Sequence, residues 1–518
     1  MRPGLNASDN RKHKTTELPA ETVTRTGTRV LRRRTFANAS HVGLGFNRFF
    51  MLTLQFLGAA GQVTGSKYFL RTATHRGVMV DCGLFQGGRA LNDMNWIAPP
   101  IQLTDVANIV LTHAHLDHTG YLPRLVKSGF AGQVWCTPAT LDVTGYILRD
   151  SAHIQEEDAQ HANKHHYSRH KPALALYAPE DAEKALGLFK VQDRHKKKIL
   201  PDDISFEYSN AGHILGSCSV LMEKRFDDRG PISILFSGDL GREKPIYLNP
   251  REAPPAADFV VCESTYGDKF HDKINPAEEL YAIVKDMLAS KSVLLIPAFA
   301  VDRAQELIYC LNKLMRAGRI PAIPTYVDSP MATSVTALYE KYCEEHTMSP
   351  DELQSPNNNP LSFPSLKFTQ TVEESKHLND LKGPAIIISA SGMATGGRIM
   401  HHLANRLSKP DTTVLFTGYQ AEETLGRDLM NGAKTATIFG EKIPVAARVL
   451  TLTNFSAHSD QGEILSWLKQ LPKPPKRLFL THGEDGPRTV LKGVIEKALG
   501  WNVALPKLNE IVDLTAIG

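Results

Sequence analysis

Within six residues, His113-Ala114-His115-Leu116-Asp117-His118, the chain sets three imidazoles and one carboxylate. This mixture of nitrogen and oxygen donors suits borderline-soft divalent metals, zinc above all. The cluster follows the strand-like run 108–112 directly, which puts it on a loop at a sheet edge where side chains can converge on ions. Donors at this density do not read as scattered surface histidines. Three more segments offer what such a centre lacks. Gly212-His213-Ile214-Leu215-Gly216 sets a histidine in a glycine-flanked turn, Ser237-Gly238-Asp239 sets a carboxylate after a strand, and Leu480-Thr481-His482 ends another strand in a histidine.

The rest of the chain supplies a scaffold for such a loop. Apolar runs at 77–81, 108–112, 232–237, 258–263, 293–297, 385–390, 413–418 and 476–481 read as buried strands, with 52–57 as the first. Amphipathic helices follow several of them, so the expectation is an α/β architecture. Asn275-Pro276-Ala277-Glu278 combines an N-cap, a proline at the first helical position and a capping-box acid. Asp302-Arg303-Ala304-Gln305 offers the same cap and box pairing without the proline, and a helix is expected over 463–471. The Pro/Asn-rich stretch 349–364 reads as a surface loop. At 518 residues, roughly 150 per domain allows two to four domains. No apolar run approaches the roughly 20 residues of a membrane span; the longest, 293–301, is broken by Pro297.

The metal-binding motifs resemble those of metallo-β-lactamase-fold hydrolases. By that resemblance His113, His115 and His213 hold one zinc, Asp117, His118 and His482 hold a second, and Asp239 bridges the two. Asp81, in Val80-Asp81-Cys82-Gly83, matches the first motif and orients the ligand loop. Asp239 and His482 stand 243 positions apart, which leaves room for a whole inserted domain. Glu263-Ser264-Thr265-Tyr266-Gly267, Phe455-Ser456-Ala457-His458-Ser459-Asp460 and the His482 segment match the three motifs of the β-CASP nucleases. A histidine at the last position resembles the RNA-processing branch, where the DNA-repair branch has valine. Pro297-Ala298-Phe299-Ala300-Val301 with Arg303, and Ser389-Ala390-Ser391-Gly392-Met393, look like the bacterial and archaeal RNA-cleaving members.

The resemblance therefore implies an αββα metallo-β-lactamase sandwich with an inserted α/β β-CASP domain. The expected divisions are a basic extension at 1–50, sandwich at 51–267, insertion at 268–449 and sandwich again at 450–518. Residues 1–50 do not resemble KH domains. The implied activity is a zinc-dependent ribonuclease working on single-stranded RNA by a two-metal hydroxide mechanism, with a homodimer expected from the family. In it His458 is the acid that protonates the leaving oxygen, and Glu263 orients it and raises its pKa. Internal cutting and 5′-3′ trimming both remain open. A thioester-type hydrolase is disfavoured by the insertion, a DNA nuclease by His482, and a silent RNA-binding subunit by the full set of seven ligands.

Other segments carry alternatives. Ser391, Gly392, Thr395 and Arg398 lie in a glycine-rich strand-to-helix turn that either packs the chain or binds substrate phosphate. His161, His165, His166 and His170, with Lys164, Arg169 and Lys171, form a solvated basic face, an RNA-touching surface or a further metal site. Arg194-His195-Lys196-Lys197-Lys198 reads as a solvated charge run or an RNA track. Residues 1–50 hold 10 Lys/Arg against 3 Asp/Glu, while 51–518 hold 49 against 52, so the body is not broadly basic. The extension reads as disordered: an RNA-touching arm, a targeting segment, or an upstream stretch preceding a start at Met51. Six scattered cysteines with no Cys-x-x-Cys fit buried thiols in a reducing, cytoplasmic setting.

Overall fold

The computed structural model describes residues 52–517 apart from 75, 166–170, 273, 356 and 453. The described residues belong to one compact unit. The expectations for 1–50 and Met51, and those for His166, Arg169 and His170, fall outside the described residues.

Two seven-stranded sheets face each other. The first runs Ile511–Asp513, Leu52–Phe56, Tyr68–Thr72, Gly77–Val80, Val106–Val110, Gln133–Cys136, Phe189–Val191. The second runs Val503–Ala504, Arg477–Thr481, Phe259–Glu263, Ile232–Phe236, Cys218–Lys224, Ile204–Asn210, Lys198–Ile199. Leu54, Phe56, Tyr68, Phe206, Phe236 and Phe479 fill the space between them. Leu122, Leu125, Leu148 and Ala182 bring helices onto the outer face of the first sheet. Ile464, Trp467, Leu491 and Ile495 do the same for the second. Both faces of each sheet are thus covered, which explains why the central strands read as unbroken apolar runs. The layers are α, β, β, α, as expected.

The insertion is a six-stranded sheet ordered Leu366–Phe368, Thr325–Asp328, Ala385–Ser389, Val293–Pro297, Thr412–Phe416, Arg448–Thr451. Every pairing in it is parallel, and apolar clusters cover both faces. The strands that flank it, Phe259–Glu263 and Arg477–Thr481, are hydrogen-bonded neighbours with Glu263 opposite Thr481. The insertion therefore lies between two adjacent parallel strands of the second sheet and breaks no ladder. Because Arg448–Thr451 pairs with Thr412–Phe416, the expected division at 449/450 falls inside a strand.

Three local expectations need correction. The helix Arg303–Arg316 has no side-chain cap at Asp302. The Asp302 carboxylate instead accepts from the Tyr247 hydroxyl at 3.1 Å, and the Gln305 amide donates to the Ala300 and Ala332 carbonyls. The stretch 349–364 is not simply a surface loop, since Leu353, Leu361 and Phe363 enter the core. The helix expected over 463–471 is Gln461–Leu468, because Asp460 and Glu463 form the capping box that starts it. No helix among the described residues is long and apolar enough to cross a membrane.

Candidate metal centre

Parallel strands end at the same edge, and this collects the donors. Gly77–Val80 and Val106–Val110 run parallel, as do Ile232–Phe236, Phe259–Glu263 and Arg477–Thr481. Asp81, His113, Asp239, Glu263 and His482 therefore leave their sheets on one side. His213 joins from the turn between Ile204–Asn210 and Cys218–Lys224. Asp81 and His482 both take left-handed backbone, at φ 58° and 47°, strain of the kind that concentrates at functional positions.

The predicted ligands converge in two sets. Donor atoms of His113, His115, His213 and Asp239 lie within 4.8 Å of one another, as do those of Asp117, His118 and His482. Asp239 stands between the sets. Its Oδ2 faces His113 Nε2 at 3.4 Å and His213 Nε2 at 3.5 Å. Its Oδ1 faces His118 Nε2 at 3.3 Å and His482 Nε2 at 3.6 Å.

Neighbouring groups fix which ring nitrogens point inward. The Thr112 amide and hydroxyl both donate to Asp81, at 2.8 and 2.9 Å, so the His113 Nδ1–H donates to Thr112 Oγ1 at 3.0 Å. The His118 Nδ1–H donates to Asp81 Oδ2 at 2.8 Å. Thr265 donates its hydroxyl to the His482 carbonyl, and His482 Nδ1–H donates to Thr265 Oγ1 at 3.0 Å. Each arrangement turns Nε2 toward Asp239, the nitrogen a metal takes; burial lowers the His118 pKa, but Asp239 and Asp81 outweigh that and raise it, so a metal there displaces a proton.

These residues fit a metal pair. The buried Asp239 Oδ1 has no hydrogen-bond partner, and His115 Nδ1 lies 3.1 Å from His113 Nε2 and 3.2 Å from His213 Nε2. Burial pushes the His113 and His213 rings down and takes His115 to about 4, keeping them neutral. Burial opposes ionisation of Asp239, but the imidazoles of His482, His118 and His113 hold its carboxyl well below the usual range.

Beside this centre lies a third set, Asp239, Glu263 and His458. Glu263 is engaged at both oxygens: its Oε1 accepts from the Leu240 amide at 2.7 Å and from His458 Nδ1 at 3.2 Å, and its Oε2 from the Thr265 amide at 3.3 Å. It holds the imidazole through the Nδ1 contact. Burial lowers the His458 pKa, but Glu263, Asp239 and Asp117 outweigh that and lift it to about 9.

The glycine-rich turn departs from expectation at Arg398. The Ser391 hydroxyl accepts from the Thr395 amide at 3.1 Å. A Cβ on Gly392 would meet the Phe299 ring at 2.6 Å, and Phe299 faces His115 with ring centroids 6.4 Å apart. Phe299 therefore stands between the turn and the ligand cluster. Arg398, however, donates to Asp328 Oδ1 and the Gln370 carbonyl, both at 2.7 Å, so its fork is taken up within the insertion. His161 and His165 share a helix face with ring centroids 4.3 Å apart, yet no third ligand joins them among the described residues. Arg194 does not belong to a solvated run. It is largely buried, gripping Glu345 at 2.7 and 2.9 Å. Thr112, Thr265 and Phe299 went unassigned from sequence, although each stands inside or beside a quoted motif.

Residues 61–199 match the metallo-β-lactamase superfamily, 304–429 the β-CASP domain, and 442–506 the Zn-dependent metallo-hydrolase RNA specificity domain. The ribonuclease TTHA0252 of Thermus thermophilus is 35% identical over 463 residues, covering 88% of this chain and 99% of that one. The chain belongs to the β-CASP family of metallo-β-lactamase-fold proteins. As a β-CASP protein it is a metal-dependent hydrolase. An RNase J-like protein of Methanocaldococcus jannaschii is 30% identical over 440 residues, covering 84% of this chain and 93% of that one. The transcription termination factor FttA of Methanosarcina mazei is 30% identical over 443 residues, 83% of this chain. The present chain spans 66% of that factor's length.

Proposed function

We propose that this protein is a ribonuclease that hydrolyses phosphodiester bonds of single-stranded RNA with two zinc ions. The observation that carries the reading is Asp239, which turns one oxygen to each ligand set and lies 4.0 Å from His458 Nδ1. His113, His115 and His213 would hold one ion, Asp117, His118 and His482 the other, with Asp239 shared. When bound, such a pair activates water at neutral pH and offsets charge building on the phosphoryl oxygens. Asp81 and Thr265 keep the ligand rings in the tautomer that binds. Glu263 accepts the hydrogen bond of His458 Nδ1–H, and the Nε2–H of the protonated ring goes to the departing oxygen. The turn at Ser391, Gly392 and Thr395 supplies small residues beside the cluster for a substrate phosphate. All six cysteines are free, five of them buried, which suits a reducing, cytoplasmic setting.

The test is single-stranded RNA labelled at its 5′ end, with wild type, Asp239→Ala and His458→Ala compared. Internal fragments from wild type, absent in both variants, are the expected result. Release of labelled mononucleotide first would make the enzyme a 5′-3′ trimmer with the same chemistry. Zinc-loaded wild type that leaves RNA intact overturns the reading.

A further inference from the structure

Glu484 follows His482 by two positions and stands at the start of the helix Asp485–Leu499. A side-chain oxygen at such a position ordinarily accepts from the first amides of its own helix. Here it caps nothing. Glu484 Oε1 instead accepts from the Tyr419 hydroxyl at 2.6 Å, and Tyr419 belongs to the insertion, just beyond the strand Thr412–Phe416. Tyr419 reaches a second support of His482 as well. Its ring stands edge-on to Tyr266, with centroids 6.0 Å apart and planes at 89°. Tyr266 follows Thr265, whose hydroxyl receives His482 Nδ1–H at 3.0 Å. The Tyr419 segment is itself fixed, because the buried Gln420 donates its amide to the Gly392 and Tyr419 carbonyls, both at 3.0 Å.

His482 needs such bracing, since its backbone is strained at φ 47° and a relaxed backbone would carry the imidazole away from Asp239. Two backbone bonds hold the segment from within the sandwich. The His482 amide donates to the Ala59 carbonyl at 2.8 Å and the Gly483 amide to the Gln62 carbonyl at 3.2 Å. The Tyr419 hydroxyl adds a hold from the insertion. Partners that orient a metal-binding ring typically change its affinity by about 10–100-fold. We infer that Tyr419 is a positioning residue: through its hydrogen bond to Glu484, the insertion holds His482 in place for the second zinc. That ion is therefore tight only while the insertion is seated on the sandwich. This inference rests on the two-zinc reading of the centre.

Zinc affinity is measured on the full-length protein by chelator competition at buffered free zinc. Wild type, Tyr419→Phe, Glu484→Ala, Glu484→Gln and His482→Ala are compared. Wild type should take up two ions. Tyr419→Phe and Glu484→Ala should each weaken one of them at least tenfold and leave the other unchanged. Glu484→Gln keeps an acceptor for the hydroxyl and should stay within about threefold of wild type. His482→Ala marks which ion is affected, and adding Tyr419→Phe to it should leave the remaining ion as it was. RNA cleavage by Tyr419→Phe should return close to the wild-type rate once zinc saturates. Unchanged affinity in Tyr419→Phe overturns the inference, as does weakening of both ions together, the mark of a general structural role. Fewer than two ions on wild type removes the two-zinc reading and this inference with it. Two ions that depend on Tyr419 as expected, beside intact RNA, remove the ribonuclease and keep the positioning role.

Discussion

Glu263 is 1% exposed and meets His458 at 3.2 Å, so its charge acts on the imidazole with little solvent between. Burial alone would push the His458 ring down, yet Glu263, then Asp239 and Asp117, carry it up to about 9. A histidine raised in this way stays protonated through neutral pH. Its contribution to the folded state is complete below the ordinary value of about 6.5 and is lost as the pH climbs toward that raised value. Glu263→Gln keeps an acceptor and removes the charge. The basic limb of the pH–rate profile should then move to lower pH, and kcat at pH 8 should fall about tenfold with zinc content unchanged. Zinc beside Asp239 would shift the limb of both proteins downward together, so the difference between them is the quantity to read. A limb that stays in place removes Glu263 from the role of orienting acid. At this scale the ligand types were legible because each motif declares its own chemistry. The supporting partners were not. Thr265 reaches His482 across 217 positions and His271 reaches the His458 carbonyl across 187, and no local pattern records such contacts.

Between residues and the whole stand the loops at the strand ends, which lie backbone to backbone. A Cβ on Gly83 would fall 1.5 Å from the Asp117 carbonyl oxygen and 2.6 Å from the His118 amide, and one on Gly241 would fall 1.8 Å from the Gly212 carbonyl oxygen. These are backbone obstacles that cannot rotate away. Gly83→Ala should therefore displace Asp117 and His118 while sparing the turn that carries His213. Zinc per chain, measured by atomic emission, should drop from about two to about one, and RNA cleavage should fall at least 100-fold. Two zincs retained at full activity would show that the loop shifts without cost. The nine strands expected from apolar runs lie within one or two residues of their positions, but Tyr68–Thr72, Ile204–Asn210 and Cys218–Lys224, whose polar and apolar residues are mixed and which pair antiparallel, were not legible. Nor was the partner of Asp302. The sequence pattern of an N-cap is the same whether its carboxylate turns to its own helix or to a tyrosine pair, and Tyr247 and Tyr339 come from distant elements.

At the scale of the molecule, the sandwich and the insertion share one apolar cluster and several polar links. Arg194 extends from the sandwich to Glu345 of the insertion, and Glu345 Oε2 also accepts from the Gly216 amide at 3.3 Å. Nearby, Asn249 donates to the Glu344 carbonyl at 2.6 Å, and the Thr347 amide to the Tyr247 carbonyl at 2.7 Å. The insertion itself was legible from the spacing of Asp239 and His482, but this joint was not. In sequence Arg194 opens a run of charged residues, and only the fold shows that its neighbours Lys196 and Lys197 pair at the surface while it turns inward. Glu345→Ala leaves the Arg194 guanidinium largely buried without its anion, a change that costs about 3–5 kcal/mol. Glu345→Gln keeps the acceptor for Arg194 and for Gly216 and should cost less than half of that. Denaturant unfolding of both variants, with zinc content measured alongside, separates a loosened joint from a damaged centre. The expected outcome is a lower midpoint with two zincs retained. If Glu345→Ala unfolds like wild type, the pair contributes no more than an exposed one, and the insertion is held to the sandwich by its apolar contacts and backbone bonds alone.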